Sequence, residues 1–476
     1  MPPAENTVQP RYATDDQPPQ TIPKHRWRAM IVRLHFYAGV LVAPFLLVAA
    51  VTGGLYALAP TLERLVYGDI LFVDDQGPPL PLGDQVAAAQ QEFPGLTVSG
   101  MRPPAGATES TRVHLIDPAL DEEKLRTVFV DPYTGRVLGD EPTWFGYLPL
   151  STWLDGLHRH LNLGEPGRIY SELAASWLWV VASGGLYLWA LKAAGDRRRG
   201  RTGRLLTVDR STGGRARTLS WHGATGVWLL AGLLFLSATG ITWSTYAGAH
   251  VSDIRAAMNW QRPQLDSTLA GHGDHGDHGG PGPAVVDRPT IDYDGVLAAA
   301  AGAGVRSPVE ITVPADHGHG VTVTEIDEPY RWTTNSAVVD PTDLSVTARI
   351  DYWSDYSLIA KLADWGIRAH MGFLFGLVNQ LLLLGIAIGL VTLIVRGYRM
   401  WWQRRPTRGS DWAFGRPPVR GGIRGLSPVV RLWVIAAAVA LGWFLPLLGL
   451  SLAAFVAIDL GVGAVNKQRK VESDVQ

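Results

Sequence analysis

The chain has no cysteine among its 476 residues. This excludes disulfides, thiolate haem ligation and ordinary iron–sulfur clusters, and leaves any metal chemistry to His, Met or carboxylates. A charge imbalance is also missing. The 42 Lys and Arg against 43 Asp and Glu give a net charge of −1, which offers no basis for nucleic-acid binding. Charge is absent altogether from four stretches: Phe36 to Pro60, Leu173 to Leu191, Gly223 to Ala249 and Met371 to Val395. Each is close to the roughly 20 residues a helix needs to cross a bilayer, so four crossings follow. The region from Leu432 to Val465 is apolar too, but Pro446 divides it and Asp459 interrupts its second piece. It reads as a tight pair of short helices.

Basic residues gather at one set of ends. Lys24, Arg26, Arg28 and Arg33 precede the first crossing, Arg197, Arg198, Arg199 and Arg201 follow the second, and Arg396, Arg399, Arg404 and Arg405 follow the fourth. By the positive-inside rule these ends are cytoplasmic, and the long segments Glu63 to Ser171 and His250 to Arg368 lie outside. Many of the 18 Trp stand near helix ends, where an interfacial aromatic belt belongs.

The chain repeats itself. Leu34-His35 is followed by Gly39 and then Thr52-Gly53, and Trp221-His222 by Gly226 and Thr239-Gly240 at the same offsets. Val130-Asp131-Pro132-Tyr133-Thr134-Gly135 recurs in degraded form as Val339-Asp340-Pro341-Thr342, with Asp343-Leu344 replacing the Gly. Pro fixes φ and Gly permits φ > 0, so the first copy reads as a hairpin turn. A His with a Gly six residues on precedes each following crossing: His158 with Gly164, and His370 with Gly376. Ala-rich helical runs (Gln85 to Gln91, Gly295 to Ala303) lead into alternating strands (Arg112 to Ile116, Leu125 to Val130, Val309 to Val313, Gly320 to Thr324) in both outer segments.

Four histidines thus fall on two levels. His35 and His222 begin crossings at the cytoplasmic face, and His158 and His370 precede crossings at the outer face. The arrangement suits two bis-histidine haem b sites, one per leaflet. Gly39 and Gly226, one helical turn inward from their histidines, leave room for a flat ring. Arg33, Arg159, Arg168 and Arg368 are placed to meet its carboxylates. A single interfacial His is usually a hydrogen-bonded surface residue, and shared ancestry would also repeat a structural His. His160 competes with His158 for the outer site. Gly53, Gly54, Gly184, Gly185 and Gly240 read as sites of close helix packing. His272, His275 and His278, spaced by Gly and Asp, could chelate a transition metal weakly, though a solvated linker is the simpler reading. His317 and His319 read as a surface hairpin.

Leu157-His158-Arg159 with Leu163-Gly164-Glu165-Pro166-Gly167-Arg168, then Ser183-Gly184-Gly185-Leu186-Tyr187-Leu188-Trp189, resembles the PepSY-associated transmembrane helix family. Val130 to Val137 looks like the end of a PepSY domain, and the resemblance runs from about Trp27 to Trp402. It implies a bacterial cytoplasmic (inner) membrane protein linked to iron acquisition, some members being haem-containing ferric-siderophore reductases. The expected fold is an α-helical membrane protein of duplicated pairs of transmembrane helices, four core helices plus a C-terminal hydrophobic hairpin, with two inserted α+β PepSY-like extracytoplasmic domains. Its spans are 27–60, 158–193, 218–249 and 365–402, its outer domains 61–157 and 288–364. The cytoplasmic pieces are 1–26, 194–217 and 403–430, the His-rich loop is 250–287, and the hairpin and tail are 431–465 and 466–476.

The expected function is transmembrane electron transfer from an unknown cytoplasmic donor to a ferric siderophore or other ferric chelate outside, within a lipid bilayer and with no nucleic acid. No Gly-rich turn opens a helix after a strand, so no nicotinamide or flavin site of its own is expected. Two alternatives belong to other classes. One is a PepSY binding or regulatory protein that restrains a protease or senses a ligand. The other is a copper or iron handling accessory protein that uses the His-rich loop.

Overall fold

Pro44 sets the shape of the first crossing. In the computed structural model, which describes residues 26–269, 291–316, 318–403 and 427–475, helix α1 (Arg26–Leu41) meets α2 (Ala43–Tyr56) at 57°. Pro44 has no N–H to donate and its ring crowds the preceding turn, so the helix restarts at it. After α3 (Ala59–Val66) and α4 (Gly68–Leu71) the chain leaves the helical layer as α5 (Leu82–Glu92) and strands β1 (Thr97–Arg102), β2 (Thr111–Ile116), β3 (Lys124–Val130) and β4 (Val137–Trp144). It returns through an amphipathic helix, α6 (Pro149–His160), into the long α7 (Glu165–Arg198).

The second passage follows the same order. α8 (Gly214–Thr242) has Ala231 at the offset of Pro44 and runs unbroken. α9 (Tyr246–Ala257), α10 (Tyr293–Gly302), β5 (Val309–Thr312), β6 (Val321–Glu325), β7 (Ser336–Val339) and β8 (Val346–Ile350) follow. The chain comes back through α11 (Tyr352–Asp355) and the amphipathic α12 (Leu358–His370) into α13 (Gly376–Trp402), then ends with α14 (Pro428–Phe444) and α15 (Pro446–Val475).

The two outer segments are joined in space. Their strands form one eight-stranded antiparallel sheet in the order β4-β3-β2-β1-β5-β6-β7-β8, closed where Gly100 and Met101 pair with Thr312 and Ile311. Pairing β1 with β5 removes two free sheet edges. It also creates one core, in which Val86, Met101 and Val113 of the first segment meet Val296, Ile311 and Val323 of the second. The two expected outer domains therefore join edge to edge into a single layer, with α5 and α10 on one face and the helical layer below the other.

The hairpin turn appears twice. The Asp131 N–H donates to the Arg136 carbonyl and the Gly135 N–H to the Asp131 carbonyl, each at 2.9 Å, and Asp340, Ser345 and Leu344 repeat both bonds at the same distance. Gly135 has φ +72° and Leu344 φ +60°, so the Gly that the second copy lacks is replaced by a leucine held in the left-handed region.

Helices α1/α2, α7, α8 and α13 pack round Leu46, Leu178, Leu233, Ile386 and Leu393. In α7, α8 and α13 only 28%, 22% and 33% of the apolar window is buried in the protein; the rest forms an apolar girdle too large for water and suited to lipid. By length and composition four helices can cross a bilayer, and five if the bent α1/α2 pair is one span. The fourth of these is α15 through residues 446–465, which corrects the expectation of two short helices. Asp459 does not break α15, because its carboxylate pairs with Arg33 of α1. Trp177 Nε1 donates to Ser451 Oγ at 2.8 Å and docks the same helix on α7.

Candidate functional site

The four histidines expected on two levels come together as two pairs. His35 and His222 have ring centroids 6.3 Å apart, and His158 and His370 6.4 Å apart. Thr239, whose hydroxyl holds His370, lies seventeen residues along α8 from His222, about 25 Å at the helical rise. The pairs therefore lie near opposite faces of a hydrocarbon layer about 30 Å thick.

Every ring is held by Nδ1. The Nδ1 of His35 lies 3.1 Å from the Val181 carbonyl and that of His222 3.1 Å from the Leu393 carbonyl; a carbonyl only accepts, so Nδ1 carries the proton. The outer pair reaches the same state through hydroxyls. Thr52 Oγ1 lies 3.0 Å from His158 Nδ1 and donates its own proton to the Val48 carbonyl at 2.8 Å. Thr239 does the same for His370, with the Phe235 carbonyl taking its proton at 2.8 Å. Among the described residues no Nε2 of the four makes a hydrogen bond. A neutral imidazole with Nδ1–H satisfied and an Nε2 lone pair is the form that ligates a metal.

Local structure puts the outer histidines in place. Glu63 accepts the Ser151 N–H at 3.1 Å in the first turn of α6, and Leu161, with φ +54°, ends that helix just past His158. Ser357 caps α12, and Asn379 Nδ2 donates to the Ala369 carbonyl at 2.8 Å, fixing the turn after His370. Tyr56 stacks on His158 with centroids 6.4 Å apart. The outer pair lines an open-mouthed cavity of about 180 Å³ between α2, α6, α7, α8 and α13. Small residues, among them Ala50, Gly53, Ala174, Ala175, Gly240 and Ala387, form part of its wall.

The residues fit a ligated haem. Each pair would offer a haem iron two neutral imidazoles, with ring centroids 6.3 Å apart for His35 and His222 and 6.4 Å apart for His158 and His370. Among the described residues no group of three or more His, Asp or Glu could hold a bare ion, whereas a porphyrin brings its own equatorial nitrogens. A Cβ on Gly39 would meet nothing within 4 Å, and one on Gly226 only Leu393 at 3.9 Å. Gly53 and Gly185 have a more direct part than helix packing: a Cβ there would stand 2.9 Å from Cε1 of His158 and 3.0 Å from Cε1 of His35. Gly54 does pack a helix, against Ala387.

The arginines divide. Arg159 and Arg168 line the outer cavity; Arg159 lies 3.3 Å from Asp155 and Arg168 Nε donates to Thr245 Oγ1 at 3.0 Å. Arg33 and Arg368, expected to meet haem carboxylates, are engaged elsewhere. Arg33 pairs with Asp459, and Arg368, 3% exposed, lies 2.6 Å from Asp327 and 3.6 Å from Asp364. Arg396, taken from the sequence only as a topology signal, lies over Trp221, the neighbour of His222, at 4.8 Å. His160 ends α6 with its ring toward Gly156, so His158 and not His160 partners His370. His319 Nδ1 lies 2.7 Å from Asp316 Oδ1. His272, His275, His278 and His317 lie outside the described residues.

Helices able to cross a bilayer, an antiparallel sheet at one end and paired inward histidines define a multi-pass helical membrane protein with a separate sheet layer. The chain matches the PepSY-associated TM region family over residues 32–404 and belongs to it. No curated protein matches the chain.

Proposed function

We propose that this chain is a duplicated PepSY membrane protein that carries electrons across the bacterial cytoplasmic membrane to a ferric chelate, a ferric siderophore above all, with one haem b held by His35 and His222 and another by His158 and His370. The observation that carries the reading is the repeated state of the four rings: Nδ1 satisfied, Nε2 unengaged, and the rings set in two pairs with centroids 6.3 and 6.4 Å apart. When bound, the haems supply the one-electron chemistry. The protein's own part is to set orientation and surroundings. Val181, Leu393, Thr52 and Thr239 fix the tautomers and raise the basicity of the rings, while Gly53 and Gly185 allow them to turn inward. Arg159 and Arg168 give the outer cavity a cationic rim for carboxylates. The basic loop after α7 supports, through the positive-inside rule, a reading with the inner pair on the cytoplasmic side and the sheet outside.

Reduction is useful there because ferrous iron is held less tightly than ferric iron by hard oxygen ligands. The test is vectorial. In liposomes with dithionite sealed inside and ferric citrate plus a ferrous-specific chromophore outside, the haem-loaded protein should produce external ferrous iron. His370→Ala should abolish that production. Production equal to that of empty liposomes would oppose the reading, and would favour a binding or regulatory role for the sheet layer.

A further inference from the structure

The sheet face that looks down on the helical layer carries a charge imbalance at its seam. Arg112 of β2 stands directly opposite Arg102 of β1, and like charges in register repel unless something compensates them. Arg102 is compensated: its Nε and Nη2 donate to Glu310 Oε2 at 2.9 and 2.8 Å. The other oxygen of Glu310 lies 2.9 Å from His114 Nε2, so both of its oxygens face neighbours other than Arg112. Arg112 has only the ring of Phe129 beneath it at 5.8 Å, and makes no ion pair or side-chain hydrogen bond among the described residues. Burial pushes its guanidinium down to about 10, with Arg102 adding to the effect.

The nearby carboxylates do not answer it. Glu109 is turned toward Arg64 at 3.9 Å. Glu63 is occupied by the Ser151 N–H, and burial raises its carboxyl toward the neutral form. A half-buried guanidinium with no ion pair offers the planar fork that recognises carboxylates and other oxyanions bidentately.

Its position gives the site a use. Ser151 lies in the first turn of α6, and His158 seven residues further along that helix, about 10 Å away. Glu63 belongs to α3, directly after α2, whose Tyr56 stacks on His158. Phe129, over which Arg112 lies, packs with Leu148 at the start of α6, so Arg112 stands at the end of the helix that carries His158.

We propose that Arg112, backed by Arg102, binds a carboxylate of a small polycarboxylate chelate of a trivalent metal and holds it over the outer pair. The proposal rests on the electron-transfer reading for its choice of substrate, and binding is separable from reduction. Gallium(III) citrate, which is redox-inert, is titrated calorimetrically into the full haem-loaded chain in discs of phosphatidylcholine. Arg112→Gln is expected to bind at least about tenfold more weakly, with both haems retained and with binding of a gallium trihydroxamate unchanged. Arg112→Lys keeps the charge but loses the fork, and is expected several-fold weaker; it decides the matter if the Gln variant does not fold. Wild-type affinity retained in both variants overturns the proposal. So does binding displaced fully by inorganic phosphate at equal concentration, or an Arg112 dependence seen only in discs containing phosphatidylglycerol; these outcomes reassign the site to free phosphate or to a lipid headgroup. Haem-loaded protein that fails to bind gallium citrate defeats the proposal and leaves the haem reading standing. Haem-free protein that binds it leaves the site standing alone.

Discussion

Thr239 Oγ1 accepts a hydrogen bond from Nδ1 of His370 at 2.5 Å while its own proton goes to the Phe235 carbonyl at 2.8 Å. The threonine therefore acts only as an acceptor toward the ring, and it fixes both the tautomer and the plane of His370. Thr239→Val keeps the shape and removes the acceptor. The variant should lose about 10–100-fold in retention of one haem, and the potential of that haem should rise, because a less basic imidazole stabilises the ferric state less. A redox titration checks this. An unchanged potential for both haems would mean that the threonine does not tune a ligand.

Glycine contacts give a second test, specific to each level. Gly53→Ala places a methyl 2.9 Å from His158, and Gly185→Ala one 3.0 Å from His35, closer than carbon atoms pack without movement. The first variant should disturb only the outer haem spectrum and the second only the inner one. Equal disturbance of both levels by either variant would count against the assignment of pairs.

The competition at the end of α6 is decided by the same spectra. His158→Ala should remove the outer haem signal, whereas His160→Ala should leave it within error of wild type, since His160 turns toward Gly156. The reverse result would move the ligand by two residues.

The turn that closes the β3–β4 hairpin is a backbone test. A Cβ on Gly135 would meet Leu80 at 3.5 Å, an ordinary contact, so the cost of Gly135→Val lies in φ +72° and should be about 2 kcal/mol. Thermal unfolding in detergent measures it. Unchanged stability with lost reductase activity would instead give this turn a part in substrate contact.

Glu310 makes the sheet seam sensitive to acid. Burial alone would raise its carboxyl, but His114 and Arg102 beside it hold it down to about 2. A depressed folded-state value contributes stability that is present above the unfolded value near 4.5 and is lost as pH falls toward 2. Wild type should therefore lose sheet stability between those limits. Glu310→Gln should be less stable by about 3 kcal/mol at neutral pH and show a flatter acid limb. Parallel acid limbs for the two proteins would contradict the linkage.

Much of this was legible in the chain. The offsets shared by Leu34-His35 and Trp221-His222 predicted two histidines at equivalent helix positions, and the fold brings their rings together, because a helix keeps its geometry whatever it packs against. The alternation in β2, β3, β5 and β6 predicted strands for the same reason. What stayed hidden depends on partners far away in sequence. The edge pairing of β1 with β5 joins segments about two hundred residues apart, and no local pattern announces it. Asp459 looked like a break in an apolar helix because Arg33, 426 residues away, could not be seen beside it. Thr52 and Thr239 were visible as repeated residues, but their service to His158 and His370 requires helices that only the fold brings together.

The central claim is that four histidines hold two haems, and a reduced-minus-oxidised difference spectrum with haem quantification tests it most directly. Wild-type protein should carry two b-type haems per chain, either His35→Ala or His370→Ala should keep one, and the combined variant should keep none. Two haems retained in both single variants, or no haem in wild-type protein produced with ample haem supply, would contradict it.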